Sequence, residues 1–93
     1  MLPSVMATVL RGYRERLRLS QEDLAHRADV DRTYVGKMER GLLNPTFVRI
    51  ARLLGAMGIT WREFGEALDG ELDAASENRA AGRARRPPVP RAP

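Results

Sequence analysis

The chain has 93 residues, 43% hydrophobic and 30% charged, with a formal net charge of +4 and no cysteine. That fits one soluble domain with a thin core and excludes disulfides, thiolate metal centres and cysteine nucleophiles. Charge is segregated, net +4 over residues 1–56, −5 over 57–78 and +5 over 79–93, and a pI near 10.6 points to nucleic acid, an anionic membrane or an acidic protein as partner. One histidine, His26, leaves no multi-histidine metal site. No apolar run approaches the roughly 18 residues of a membrane span. The first residues lack the basic flank and apolar run of a signal peptide, so the expected location is the cytoplasm, with Met6 a second candidate start.

In chain order, helix 1 is expected from about Val5 to Arg18, since Val9, Leu10, Tyr13 and Leu17 recur at three- and four-residue spacing. Ser20 with Asp23 three residues later reads as a near capping box for helix 2, about Gln21 to Ala28, with Leu24, Ala25 and Ala28 inward. Asp29-Val30-Asp31 is a turn. Asp31 caps helix 3, about Arg32 to Arg40, with Val35 and Met38 inward and Gly41 ending it. After a 42–45 loop, Thr46 caps helix 4, whose core side is Phe47, Ile50, Leu53, Leu54 and Met57, and Gly58 ends it. Thr60 and Glu63 form a capping box for helix 5, with Trp61, Phe64, Leu68 and Leu72 apolar. Helices this short do not stand alone in water. The expected fold is therefore all-α, a compact five-helix bundle over residues 5–73. Residues 74–93 are rich in Ala, Arg and Pro and read as a disordered basic tail.

Helix 2, a three-residue turn and helix 3 describe a helix-turn-helix. In that unit the first helix crosses the DNA backbone and the second presents its outer side to base edges in the major groove. The outer side of helix 3 holds Arg32, Thr33, Gly36 and Lys37. Arg or Lys can donate to guanine O6 and N7, and a Thr methyl can pack on thymine.

The runs Leu19-Ser20-Gln21-Glu22-Asp23-Leu24-Ala25, Arg32-Thr33-Tyr34-Val35, Met38-Glu39-Arg40-Gly41 and Asn44-Pro45-Thr46 resemble the Cro/phage-repressor-type (XRE-like, lambda-repressor-like) helix-turn-helix family, over about residues 9–68. The start of helix 3 looks most like small controller-type regulators. The resemblance implies a cytoplasmic transcriptional regulator, a repressor or autoregulator, that binds double-stranded DNA as a homodimer. It implies base contacts from Arg32, Thr33 and Lys37. It also implies phosphate contacts from Ser20, Gln21, Tyr34, Arg40 and Asn44, and a buried structural ion pair between Arg14 and Glu39. Two positions depart from the pattern: Asp29 stands where many members have glycine, and Gly36 where a side chain is common.

Other readings compete at several positions. Tyr34 reads equally as a half-buried packing residue. The acids near Ser20 and Asp31 are explained by helix capping, and no nucleophile-base pair, phosphate loop or metal cluster suggests an enzyme, metal or cofactor. Trp61, Phe64 and Leu68 suit both core and dimer interface. A protein-interaction module such as an antitoxin, using helix 5 and Leu42-Leu43 against a partner protein, is the alternative function. The tail admits three roles: none, added phosphate contacts, or folding back on the acidic stretch.

Overall fold

Local chemistry sets where each helix begins and ends. The computed structural model describes residues 2–79, which form α1 (Leu2–Arg16), α2 (Gln21–Ala28), α3 (Arg32–Glu39), α4 (Phe47–Met57) and α5 (Trp61–Arg79), with no strand among them. Ser20 caps α2 with a complete capping box: its hydroxyl accepts from the Asp23 amide at 2.9 Å and its own amide donates to the Asp23 carboxylate at 3.1 Å. Asp31, Thr46 and Thr60 cap α3, α4 and α5 by accepting from Thr33, Arg49 and Glu63 amides. These contacts satisfy amides that a helix start leaves open.

The first four helices share one ending. The amide of a left-handed residue bonds three residues back, and the next amide bonds five back: Arg18 to Glu15 and Leu19 to Arg14, Asp29 to His26 and Val30 to Ala25, Gly41 to Met38 and Leu42 to Lys37, Gly58 to Gly55 and Ile59 to Leu54. This is the Schellman geometry, with an apolar residue following each cap. Two of the four left-handed caps are glycine, Gly41 at φ +71° and Gly58 at φ +69°; the others are Arg18 at +59° and Asp29 at +54°. Asp tolerates that region better than most residues but still at a cost. Relief of a left-handed cost of about 1–2 kcal/mol, less about 0.5–1 kcal/mol for the entropy of glycine, leaves Asp29→Gly more stable by about 0.5–1 kcal/mol, read as a shifted urea midpoint; an unchanged or lower midpoint would refute the cost assigned to this turn.

Two helices depart from expectation at their ends. Pro3 sits in the first turn of α1, where its missing N–H costs no bond, so α1 starts before Val5 and closes at Arg16. Leu17 falls beyond it and is half exposed. α5 runs past Asp73 to Arg79 because Ala74, Ala75 and Glu77 are strong helix formers even where apolar spacing has ceased. The rest of the expected disordered tail, 80–93, lies outside the described residues.

α1 packs on α3 and α5, and α2 packs on α3 and α4. Leu10, Leu24, Val35, Met38, Leu53 and Leu54 are fully buried where these helices meet. Each such side chain contributes about 1.5–3 kcal/mol by leaving water. Phe64 closes the core from α5, and the Tyr13 hydroxyl donates to the Glu63 carbonyl across α1 and α5. Phe47 is a correction: expected in the core, it is 73% exposed. It continues the Ile50 stripe by one turn, but there it stacks on Trp61, itself exposed, instead of entering the core.

Candidate nucleic-acid interface

With Val35 and Met38 buried, the opposite side of α3 has to face out. Arg32, Thr33 and Lys37 are all exposed there, and among the described residues their side chains are in no hydrogen bond or salt bridge. Gly36 lies between them, half-buried; a Cβ there would meet the Gln21 carboxamide oxygen at 3.6 Å, an ordinary contact. Packing therefore does not demand glycine at 36.

One border of this face is held by the Arg14–Glu39 pair. Arg14 Nε donates to Glu39 Oε2 at 2.6 Å and Nη2 to Oε1 at 2.9 Å, while Nη1 donates to the Leu19 carbonyl at 2.7 Å. Gln21 Nε2 adds a third bond to the same carboxylate at 3.0 Å. The side chains are 12% and 3% exposed. Bonding to Glu39 pushes the Arg14 guanidinium above its ordinary pKa against the opposing effect of burial. A bidentate pair with a further donor on a backbone carbonyl and a further donor to the carboxylate is the arrangement that makes buried charge tolerable. It ties α1 to the start of α2 and the end of α3.

The expected phosphate residues take different places. Ser20 is exposed at the start of α2. Bonds from its backbone and side chain hold the Asp23 carboxyl below its ordinary pKa. Gln21 spends its carboxamide N–H on Glu39. Arg40 is exposed, its Nε donating to the Gly36 carbonyl at 3.2 Å, and Asn44 is exposed in the loop. The Tyr34 hydroxyl is buried with no partner among the described residues, and the Arg49 guanidinium lies over its ring at 4.5 Å.

Trp61, Phe64 and Leu68 do not share one surface. Phe64 is 3% exposed and belongs to the core. Leu68 is half-buried against that core. Trp61 is exposed, and it stacks on Phe47 with ring centroids 4.7 Å apart and planes 10° apart. With Val48, also exposed, they form an apolar patch on the first turns of α4 and α5. Leu42 is exposed and Leu43 half-buried.

Residues 10–64 match the helix-turn-helix family. The chain belongs to it. The protein is 42% identical over 53 residues to an uncharacterised HTH-type transcriptional regulator of Methanothermobacter thermautotrophicus, covering 54% of this chain and 77% of that one. It is 34% identical over 58 residues to the control protein C.MunI of Mycoplasma sp, covering 62% and 78%. The fold superposes on the restriction-modification controller protein C.Esp1396I with a TM-score of 0.77 at 28% identity, covering 80% of this chain and 96% of that one. That controller has also been solved as a tetramer on its natural 35-base-pair operator, and as variants altering an arginine, a threonine and a tyrosine at consecutive positions.

Sequence reasoning missed Arg49 and the exposed Phe47–Trp61 stack. A signal for Arg49 was present: a cation in the first turn of a helix opposes the helix dipole. For the aromatic stack there was none, since helical spacing shows which face is apolar but not whether another element covers it.

Proposed function

We infer that this protein is a sequence-specific double-stranded-DNA-binding transcriptional regulator of the restriction-modification controller type. It acts as a homodimer and reads the major groove with α3. The observation that carries this reading is the outer side of α3. Arg32, Thr33 and Lys37 stand exposed on it, on a helix fixed from behind by Val35 and Met38 and at its edge by the Arg14–Glu39 pair. Arg32-Thr33-Tyr34 is also the one Arg-Thr-Tyr run in this chain. It has the same three residue types, at consecutive positions, as the variants of C.Esp1396I.

Arg32 and Lys37 donate to base edges, and Thr33 supplies a methyl and a hydroxyl. The start of α2 at Ser20 and Gln21 meets a phosphate through backbone amides and the capping hydroxyl, and Arg40 and Asn44 meet phosphate further along. A second copy of the chain covers Phe47, Val48 and Trp61, because a stacked, exposed aromatic pair is the material from which interface centres are built. Two α3 helices related by that two-fold axis enter major grooves about 34 Å apart. Regulation follows from occupancy of the site, which blocks or recruits polymerase.

Lys37→Ala is expected to cost about 1–3 kcal/mol of operator binding and to relax preference at the base pairs it reads. Binding titrations against single-base-pair operator variants check this; a uniform loss on every sequence would move Lys37 to the phosphate class. The function itself is tested by selection from random duplex DNA at near-physiological salt with competitor DNA. An inverted repeat is expected, and salt-sensitive binding with no recovered motif would overturn the reading.

A further inference from the structure

Arg49 has no part in the core and no acidic partner among the described residues. It is the third helical residue of α4 after the Thr46 cap, where the partial positive charge of the helix start opposes a cation. Yet it is exposed, with its guanidinium carbon over the Tyr34 ring, 4.5 Å from the centroid. Local electrostatics give no reason for an arginine there, and residues that break a local rule mark functional positions.

The position of Tyr34 on α3 supplies the reason. Successive helix residues turn by about 100°, so Glu39 lies about 20° around from Arg32, and Tyr34 about 60° around from Lys37 on the other side. The reading face is thus bordered on one side by Glu39, Gln21 and the start of α2, and on the other by Tyr34 and Arg49. A major groove about 12 Å wide is nearly filled by a helix about 10–12 Å across. Its two walls are the two phosphate strands. One wall runs along the start of α2, and the other along the start of α4.

We propose that Arg49 contacts a phosphate on that second strand and that Tyr34 is its positioning residue. The proposal rests on the DNA-binding reading above. With the guanidinium held over the ring face and its N–H groups exposed and in no hydrogen bond among the described residues, those donors are free for bidentate bonding to phosphate oxygens. The Tyr34 ring provides the platform. Its hydroxyl is buried without a partner among the described residues, so the ring and not the hydroxyl does the positioning.

The experiment measures affinity of the full chain for its selected operator between 50 and 200 mM salt, for wild type, Arg49→Gln, Arg49→Lys, Tyr34→Phe, Tyr34→Leu and the double variant Tyr34→Leu with Arg49→Gln, with melting temperatures as the folding control. Losing one phosphate contact per protomer lowers the salt slope by about 1.8 per dimer, so the affinity gap between wild type and Arg49→Gln narrows about ten-fold across that range. Arg49→Lys keeps the slope, Tyr34→Phe keeps both slope and affinity, and Tyr34→Leu weakens wild type but adds nothing to Arg49→Gln. A wild-type slope and affinity in Arg49→Gln overturn the proposal while leaving the regulator reading intact. Loss of preference at particular base pairs with an unchanged slope also overturns it, since Arg49 would then read bases. Wild type that selects no operator sinks both.

Discussion

Glu39→Ala is expected to destabilise the protein by about 3–5 kcal/mol, because it leaves an uncompensated buried charge. The wild-type carboxylate accepts three bonds, two from Arg14 and one from Gln21. Its removal strands the guanidinium, only 12% exposed, and frees the start of α2 from the end of α3. For a domain this small such a loss is a large share of total stability. DNA binding is expected to disappear with the fold, although Glu39 faces no DNA. Urea unfolding at fixed protein concentration measures the effect, the concentration being held because dimerisation shifts the midpoint. The double variant Arg14→Met with Glu39→Leu separates charge burial from packing. Removing both partners of a buried pair is often neutral or stabilising, so most of the stability is expected to return. A loss below about 1 kcal/mol in Glu39→Ala would show that the pair is solvated and worth no more than a surface bridge.

Phe47→Glu is expected to separate the dimer while leaving the monomer fold intact. Phe47 is 73% exposed, so the folded monomer loses little by the change. In a symmetric interface each residue appears twice. An aromatic centre is typically worth at least about 2 kcal/mol on truncation, so the two copies weaken association by about a thousand-fold. Separate monomers also lose the effective concentration that links two half-sites, about 10²–10⁴-fold in operator affinity. Sedimentation velocity and operator titration read the two effects, and half-site affinity should be nearly unchanged. A variant that remains dimeric would move the interface away from the Phe47–Trp61 stack.

The two predictions differ in how visible their residues are in the sequence. Arg14 and Glu39 are 25 positions apart, and nothing in their spacing joins them; only the likeness to the XRE-like family pointed to the pair. Phe47 satisfies the apolar spacing of α4, and spacing alone places it in the core. Phe64 and Trp61 read alike as apolar residues of one helix, three positions apart, yet one is buried and the other exposed.

What the sequence determined by itself is the local part: five helices, their capping residues, the glycine stops at Gly41 and Gly58, and a helix-turn-helix with a basic outer side. These depend on interactions within a few residues, so a linear string contains them. Tertiary structure decided the rest. At the first turns of α4 and α5, Phe47 and Trp61 stack on each other and stay at the surface. The packing of α3 and α4 on α2 brings the Arg49 guanidinium over the Tyr34 ring, and that of α2 against α3 commits Gln21 to Glu39. Burial and partnership between helices are set by where distant segments meet, and helical periodicity carries the direction of a side chain but not what lies opposite it.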